Sequence, residues 1–160
     1  MTATTIGVAQ GASALGFEVI DHFGRGADPF NVCATAVDRG ELVFFTGANT
    51  VSVASCNLPA GSKLAGFIES TVVTDMSGLR IDYHGQYALA SSDTVAIWRQ
   101  GRYRVTAVSG VVGNNVLVYP AAGGAVSATQ SGSDPAVGIC RVGNGSTSGG
   151  PIEVEINLVG

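Results

Sequence analysis

Two histidines are the residues that would titrate closest to neutral pH, and each has an aspartate close by. His22 lies in Ile20-Asp21-His22-Phe23 and His84 in Asp82-Tyr83-His84-Gly85. A carboxylate that orients an imidazole is the core of general-base chemistry. On a strand, Asp21 and His22 would point to opposite faces, whereas Asp82 and His84 would share one. A base also needs a nucleophile to serve, and no Ser or Cys is placed beside either pair. Gly11-Ala12-Ser13-Ala14-Leu15 comes closest to a nucleophile elbow, but it lacks the closing glycine and a strand-to-helix setting. Gly24-Arg25-Gly26 and Gly143-Asn144-Gly145 lack the helix that a phosphate-binding loop requires, so they read as turns. Glu153 and Glu155 share a strand face and could hold a cation with carboxylates elsewhere; charge on an exposed edge strand explains them as well. Asn144-Gly145-Ser146 fits a glycosylation sequon, which has meaning only in a secreted eukaryotic chain. The pattern is that of a non-enzyme, with no catalytic residue, no cofactor and no metal expected.

Recognition is the better-supported chemistry. Trp98, Arg99, Arg102 and Tyr103 fall within six residues, and Trp, Tyr and Arg are the types enriched at interface hot spots. They are the candidate protein–protein interface. The competing assignment sends Trp98 or Tyr103 into the core and leaves the arginines solvated.

Composition sets the frame around these residues. The 160-residue chain is 46% hydrophobic and only 12% charged, about half the usual charged share. A surface with so little charge is either covered by partners or prone to aggregate. The net charge is −4 with a single lysine, Lys63, and the one cationic cluster is Arg99, Arg102 and Arg104. That cluster is too small for phosphate-dominated binding, so nucleic acid is not an expected partner. No long apolar run suggests a membrane span, and the N-terminus lacks a basic then apolar leader pattern. Cys33, Cys56 and Cys140 are an odd set with no Cys-x-x-Cys pair, as in a chain made in a reducing cytoplasm.

The elements that must position these residues are strands. Residues 1–30 are small, apolar and glycine-rich, and read as an extended arm or edge strand, with Ile6, Val8, Leu15 and Phe17 as its candidate contacts. From Asn31 on, β-branched and aromatic residues alternate with Ser, Thr and Gly between turn residues. Val32 to Val37 offer at most one turn of helix. Thr94 to Arg99 and Arg102 to Val105, around Gln100-Gly101, read as a tight hairpin. Ile152, Val154, Ile156 and Leu158 alternate with Glu153 and Glu155, which predicts an inward apolar set and an outward acidic one.

A repeat organises the whole. Leu42-Val43-Phe44-Phe45, Val51-Ser52-Val53-Ala54 and Ala65-Gly66-Phe67-Ile68 return as Val116-Leu117-Val118, Val126-Ser127-Ala128-Thr129 and Val137-Gly138-Ile139-Cys140. The expected architecture is therefore all-β: a compact β-barrel or jelly-roll-like sandwich with an extended N-terminal arm. Residues 31–160 would form one domain of two quasi-repeated halves, read as the halves of one barrel with Val95 to Val105 between them.

The stretch Asp93 to Val105 is similar to the hairpin of tailed-phage head cement (capsid decoration) proteins, in which a hydrophobic strand meets a basic-Gly-basic-aromatic-Val run. Gly113 to Tyr119, Val137-Gly138-Ile139 and the terminal Ile152 to Leu158 continue the likeness, and Ala60 to Ile68 resembles the family's N-terminal module. The resemblance implies a virion protein on the outer capsid surface, made in the host cytoplasm. Its implied partners are the major capsid protein and itself, as a homotrimer by preference or a homodimer. It would clamp neighbouring capsid subunits and stabilise the expanded head. The alternative is a carbohydrate- or cell-surface-binding β-sandwich of a phage fibre or adhesin, with Trp98 and Tyr103 as a sugar-stacking platform. A hydrolase using Asp82, His84 and a remote serine has no motif behind it.

Overall fold

Short runs of β-branched and aromatic residues, cut by Gly, Asn and Pro, fold as ten strands among the described residues. A computed structural model describes residues 27–38, 40–68, 91, 94–108, 110–145 and 149–158. The first five strands are β1 (Ala27–Cys33), β2 (Leu42–Phe45), β3 (Thr50–Val53), β4 (Leu64–Ile68) and β5 (Thr94–Trp98). The second five are β6 (Gln100–Ala107), β7 (Val116–Pro120), β8 (Val126–Ser127), β9 (Gly138–Val142) and β10 (Gly150–Asn157). A 3-10 turn, Ala122–Gly124, lies between β7 and β8. The protein is all-β, as its alternation predicts.

The repeat is real, but each half closes on itself. One barrel runs β1-β3-β2-β4-β5 and the other β6-β8-β7-β9-β10, each returning to its first strand. The pairings match in sense as well as order. The first and third strands of each half are parallel (β1 with β3, β6 with β8), and the remaining pairs are antiparallel. Two barrels therefore replace the single barrel expected from two halves.

One register position makes the duplication concrete. In the first barrel Leu42 pairs with Phe67, Phe67 with Trp98, and Trp98 with Ala27. In the second, Leu117 pairs with Ile139, Ile139 with Glu155, and Glu155 with Arg102. The glycine next to each row confirms the match. A methyl on Gly66 would stand 2.1 Å from the carbonyl oxygen of Trp98, and one on Gly138 would stand 2.2 Å from that of Glu155. Only glycine lets the two backbones approach so closely, and the φ of Gly66 is +141° besides.

The expected hairpin at Gln100-Gly101 does not form. β5 pairs with β1 and β4, whereas β6 pairs with β10 and β8. Gly101 does have a positive φ of 128°, but it lies inside β6 opposite Ile156. Arg99 alone joins the two strands, and the chain uses it to pass from one barrel to the other. Period-two alternation identifies both strands correctly; it carries no information about which strand each one pairs with.

Three further expectations change. β1 begins at Ala27, so residues 27–30 belong to a barrel and not to an arm. Val32 and Cys33 end that strand in place of a helical turn. β10 is no edge strand, since β6 and β9 flank it. Its alternation holds all the same: Ile152, Val154 and Ile156 are buried, Leu158 packs against them, and Glu153 and Glu155 point outward. Ile6, Val8, Leu15, Phe17, His22 and His84 lie outside the described residues.

The core falls into two clusters. Cys33, Val37, Val43, Val51, Ala65, Ile68, Val95 and Ile97 fill the first barrel. The larger cluster fills the second barrel with Tyr103, Val105, Val118, Cys140, Ile152, Val154 and Ile156, and it also takes in Leu42, Ala54, Leu64, Phe67 and Trp98 from the first. β4 is buried along its whole length because it serves both clusters, a bulge between Leu64 and Gly66 bringing Leu64 and Phe67 to the side of the second barrel. Each such large apolar side chain contributes about 1.5–3 kcal/mol by leaving water.

Candidate functional site

The interface candidates lie where the chain crosses between barrels, and the structure separates them. Trp98 is only 7% exposed and Tyr103 is fully buried. Their rings stack with centroids 5.5 Å apart at 28°. The Tyr103 hydroxyl donates to the Gln100 carbonyl. The two aromatics thus join barrel to barrel within one chain, which is the core assignment of the two alternatives that the sequence left open. The sugar-stacking platform drawn from the same two rings loses its exposed faces for the same reason.

Arg99 is half-buried in the seam. Its Nη2 donates to the Leu158 carbonyl at 2.9 Å, and Leu158 N–H donates back to the Arg99 carbonyl at 2.8 Å. The guanidinium carbon lies 5.7 Å from the centre of the Phe45 ring on the first barrel, within cation–π range. Sequence reasoning missed the other half of the seam. Asp134 is only 3% exposed, and its two carboxylate oxygens accept the backbone N–H groups of Asn57 and Leu58, each at 2.8 Å. Ser131 Oγ donates to Asn57 Oδ1 at 2.9 Å, and Gly124 N–H donates to the Ala54 carbonyl at 2.9 Å. Asp134-Pro135 in a polar loop reads locally as a turn, and its partners lie more than seventy residues away, so no local signal exists.

Glu41 also faces the seam. Gly124, with a φ of +70°, lies so close that a methyl there would fall 2.6 Å from Glu41 Cβ. Burial pushes the Glu41 carboxyl above its ordinary range and the Asp38 charge adds to this, while the 2.7 Å hydrogen bond from Asp38 N–H opposes it.

The open surface is the outer face of the second barrel. Arg102 Nη2 lies 2.6 Å from Glu153, and Arg141 Nε lies 2.7 Å from Glu155. Arg141 also reaches Asn115 Oδ1 at 3.0 Å. Beside these pairs stand Leu117, 48% exposed, Val142, 45% exposed, and the half-buried Ile139. Arg102 is thus a member of an outer charged ladder, with its Nε buried and without a hydrogen-bond partner. This face can bind by shape, apolar contact and paired charge. Burial also pushes the Cys140 thiol up, which keeps it protonated inside the barrel.

No family model and no curated protein sequence matches the chain. Its fold is similar to that of a chain in the capsid of Myoviridae phage XM1, with a TM-score of 0.55 and 18% identity over 89% of both chains. A second similar structure is the head fiber gp8.5 N base of bacteriophage phi29, at a TM-score of 0.45 and 12% identity, covering 80% of this chain and 91% of that one.

Proposed function

We propose that this chain is a structural, non-enzymatic protein of a tailed-phage head. In this reading it is a cement or decoration protein that sits on the outer capsid and holds neighbouring major capsid subunits together. The observation that carries the reading is the fold shared along 89% of both chains with a protein of the phage XM1 capsid. The low charged fraction supports it, because a subunit embedded in a lattice needs little solvated surface. The contact surface is the outer face of the second barrel, where Leu117, Ile139 and Val142 adjoin the Arg102–Glu153 and Arg141–Glu155 pairs. Many weak copies on a repeating lattice gain strength by avidity, so no single site needs high affinity. Self-association, as a trimer or a dimer, would multiply that gain.

The test is co-sedimentation of the purified protein with expanded heads of the source phage, together with cryo-EM of the decorated particle. Density on the outer surface and saturable binding are expected. Leu117→Asp with Val142→Asp should weaken binding at least about tenfold while leaving the fold intact, since both side chains are exposed. An unaltered head that never takes up the wild-type chain sinks the proposal.

A further inference from the structure

The rim of the second barrel holds the one Asn-Gly pair of the chain, Asn144-Gly145. A glycine after asparagine leaves the following backbone nitrogen unshielded by any Cβ, which favours attack by that nitrogen on the asparagine side chain. We infer that Asn144 is a latent deamidation site whose chemistry is gated by the fold, independently of the role proposed above.

The gate is a two-point clamp. Val112 N–H donates to Asn144 Oδ1 at 3.0 Å, and Asn144 Nδ2 donates to the Gly110 carbonyl at 3.1 Å. Both polar atoms of the amide are therefore committed to the 110–112 segment, and Cγ cannot swing toward the nitrogen of Gly145. The surroundings leave little slack. A methyl on Gly143 would stand 2.0 Å from the Val112 carbonyl oxygen, and Gly143 N–H donates to Asn114 Oδ1 at 2.8 Å. Gly145 itself is exposed, with a φ of +60° and nothing near its Cβ position. Water and base thus reach the attacking nitrogen, while the electrophile is held by its two hydrogen bonds.

When the clamp opens, the Gly145 nitrogen gives up its proton to hydroxide and bonds to Asn144 Cγ. The water so formed returns a proton to the side-chain nitrogen, which leaves as ammonia, regenerating hydroxide and leaving a five-membered imide. Water then opens the imide at either carbonyl, giving aspartate or isoaspartate at position 144. The net change is one water consumed and one ammonia released. The product can still accept from Val112 N–H but can no longer donate to the Gly110 carbonyl, so an anionic oxygen faces a carbonyl oxygen there. The clamp does not re-form, and the rim that carries exposed Val111 is released.

The experiment ages the full-length protein at mildly alkaline pH, folded and in guanidinium chloride, with peptide mapping by mass spectrometry and enzymatic isoaspartate detection. In the denatured chain Asn144 should lose ammonia before any other asparagine. In the folded chain its loss should be at least about tenfold slower, the factor expected when reaction waits on local opening. Hydrogen exchange at the Val112 amide should be faster in Asn144→Asp than in the wild type. Equal rates in the folded and denatured chains overturn the proposed gate. So does an Asn144→Asp variant that protects Val112 as well as the wild type does.

Discussion

At the scale of single residues, one carboxylate and one aromatic stack are central to the seam between barrels. Asp134 offers two acceptors to two backbone donors, which an asparagine cannot do, because its NH2 would face an N–H. Asp134→Asn should cost about 1–3 kcal/mol in denaturant unfolding. A variant as stable as the wild type would show that water replaces the clamp at no cost. Glu41 gives a pH signature. Its folded-state carboxyl titrates above its unfolded value, so its contribution to stability is complete below the unfolded value and is lost as pH rises through the folded one. Glu41→Gln keeps an acceptor for Asp38 N–H and removes the charge, so the fall in stability above the ordinary glutamate range should flatten. Unfolding curves across pH check this; a wild type that gains on the variant as pH rises contradicts it. Of these residues the sequence pointed only to Trp98, Arg99, Arg102 and Tyr103. It identified them by type, and it could not say that the rings face each other inside while Arg102 pairs on the outside. That choice depends on where a second barrel sits, which no single strand records.

Among elements, β4 and β9 each carry a tight constraint. Gly66→Ala and Gly138→Ala each drive a methyl into the backbone of the next strand, at contacts of 2.1 and 2.2 Å. Neither can be relieved by a side-chain rotation, so both variants should lose more than about 3 kcal/mol or fail to accumulate as soluble protein. Gly113→Ala is the control, since its nearest neighbour would be a Val116 methyl at 3.9 Å, and it should change stability by no more than about 0.5 kcal/mol. Thermal and denaturant unfolding of the three variants decide it. Strand identity was legible in β10, where alternation gave the inward set correctly. Pairing was not, because Gln100-Gly101 has the composition of a hairpin turn yet sits at a crossing between barrels. Closure also removes open strand edges among the described residues. An arm that acts by strand addition finds no open edge among the described strands.

For the molecule as a whole, the larger core cluster runs through both barrels, so the two should unfold together. The single tryptophan, Trp98, reports the seam, and far-UV circular dichroism reports both barrels. Their denaturant transitions should coincide; a fluorescence change that precedes the loss of β signal would mean that the barrels part first. The repeat was visible in the sequence, yet its spacing is equally compatible with one shared barrel or two separate ones. Register decides between them, and it has one more consequence. The row Leu42–Phe67–Trp98 is roofed by the barrel that follows, while the matching row of that barrel begins with Leu117 and Ile139 but ends in Glu155 and Arg102. Two charges replace the flat apolar ending on which another unit would stack. A further barrel stacked on this row as the second stacks on the first would have to bury both charges, the obstacle that polar caps present in repeat proteins.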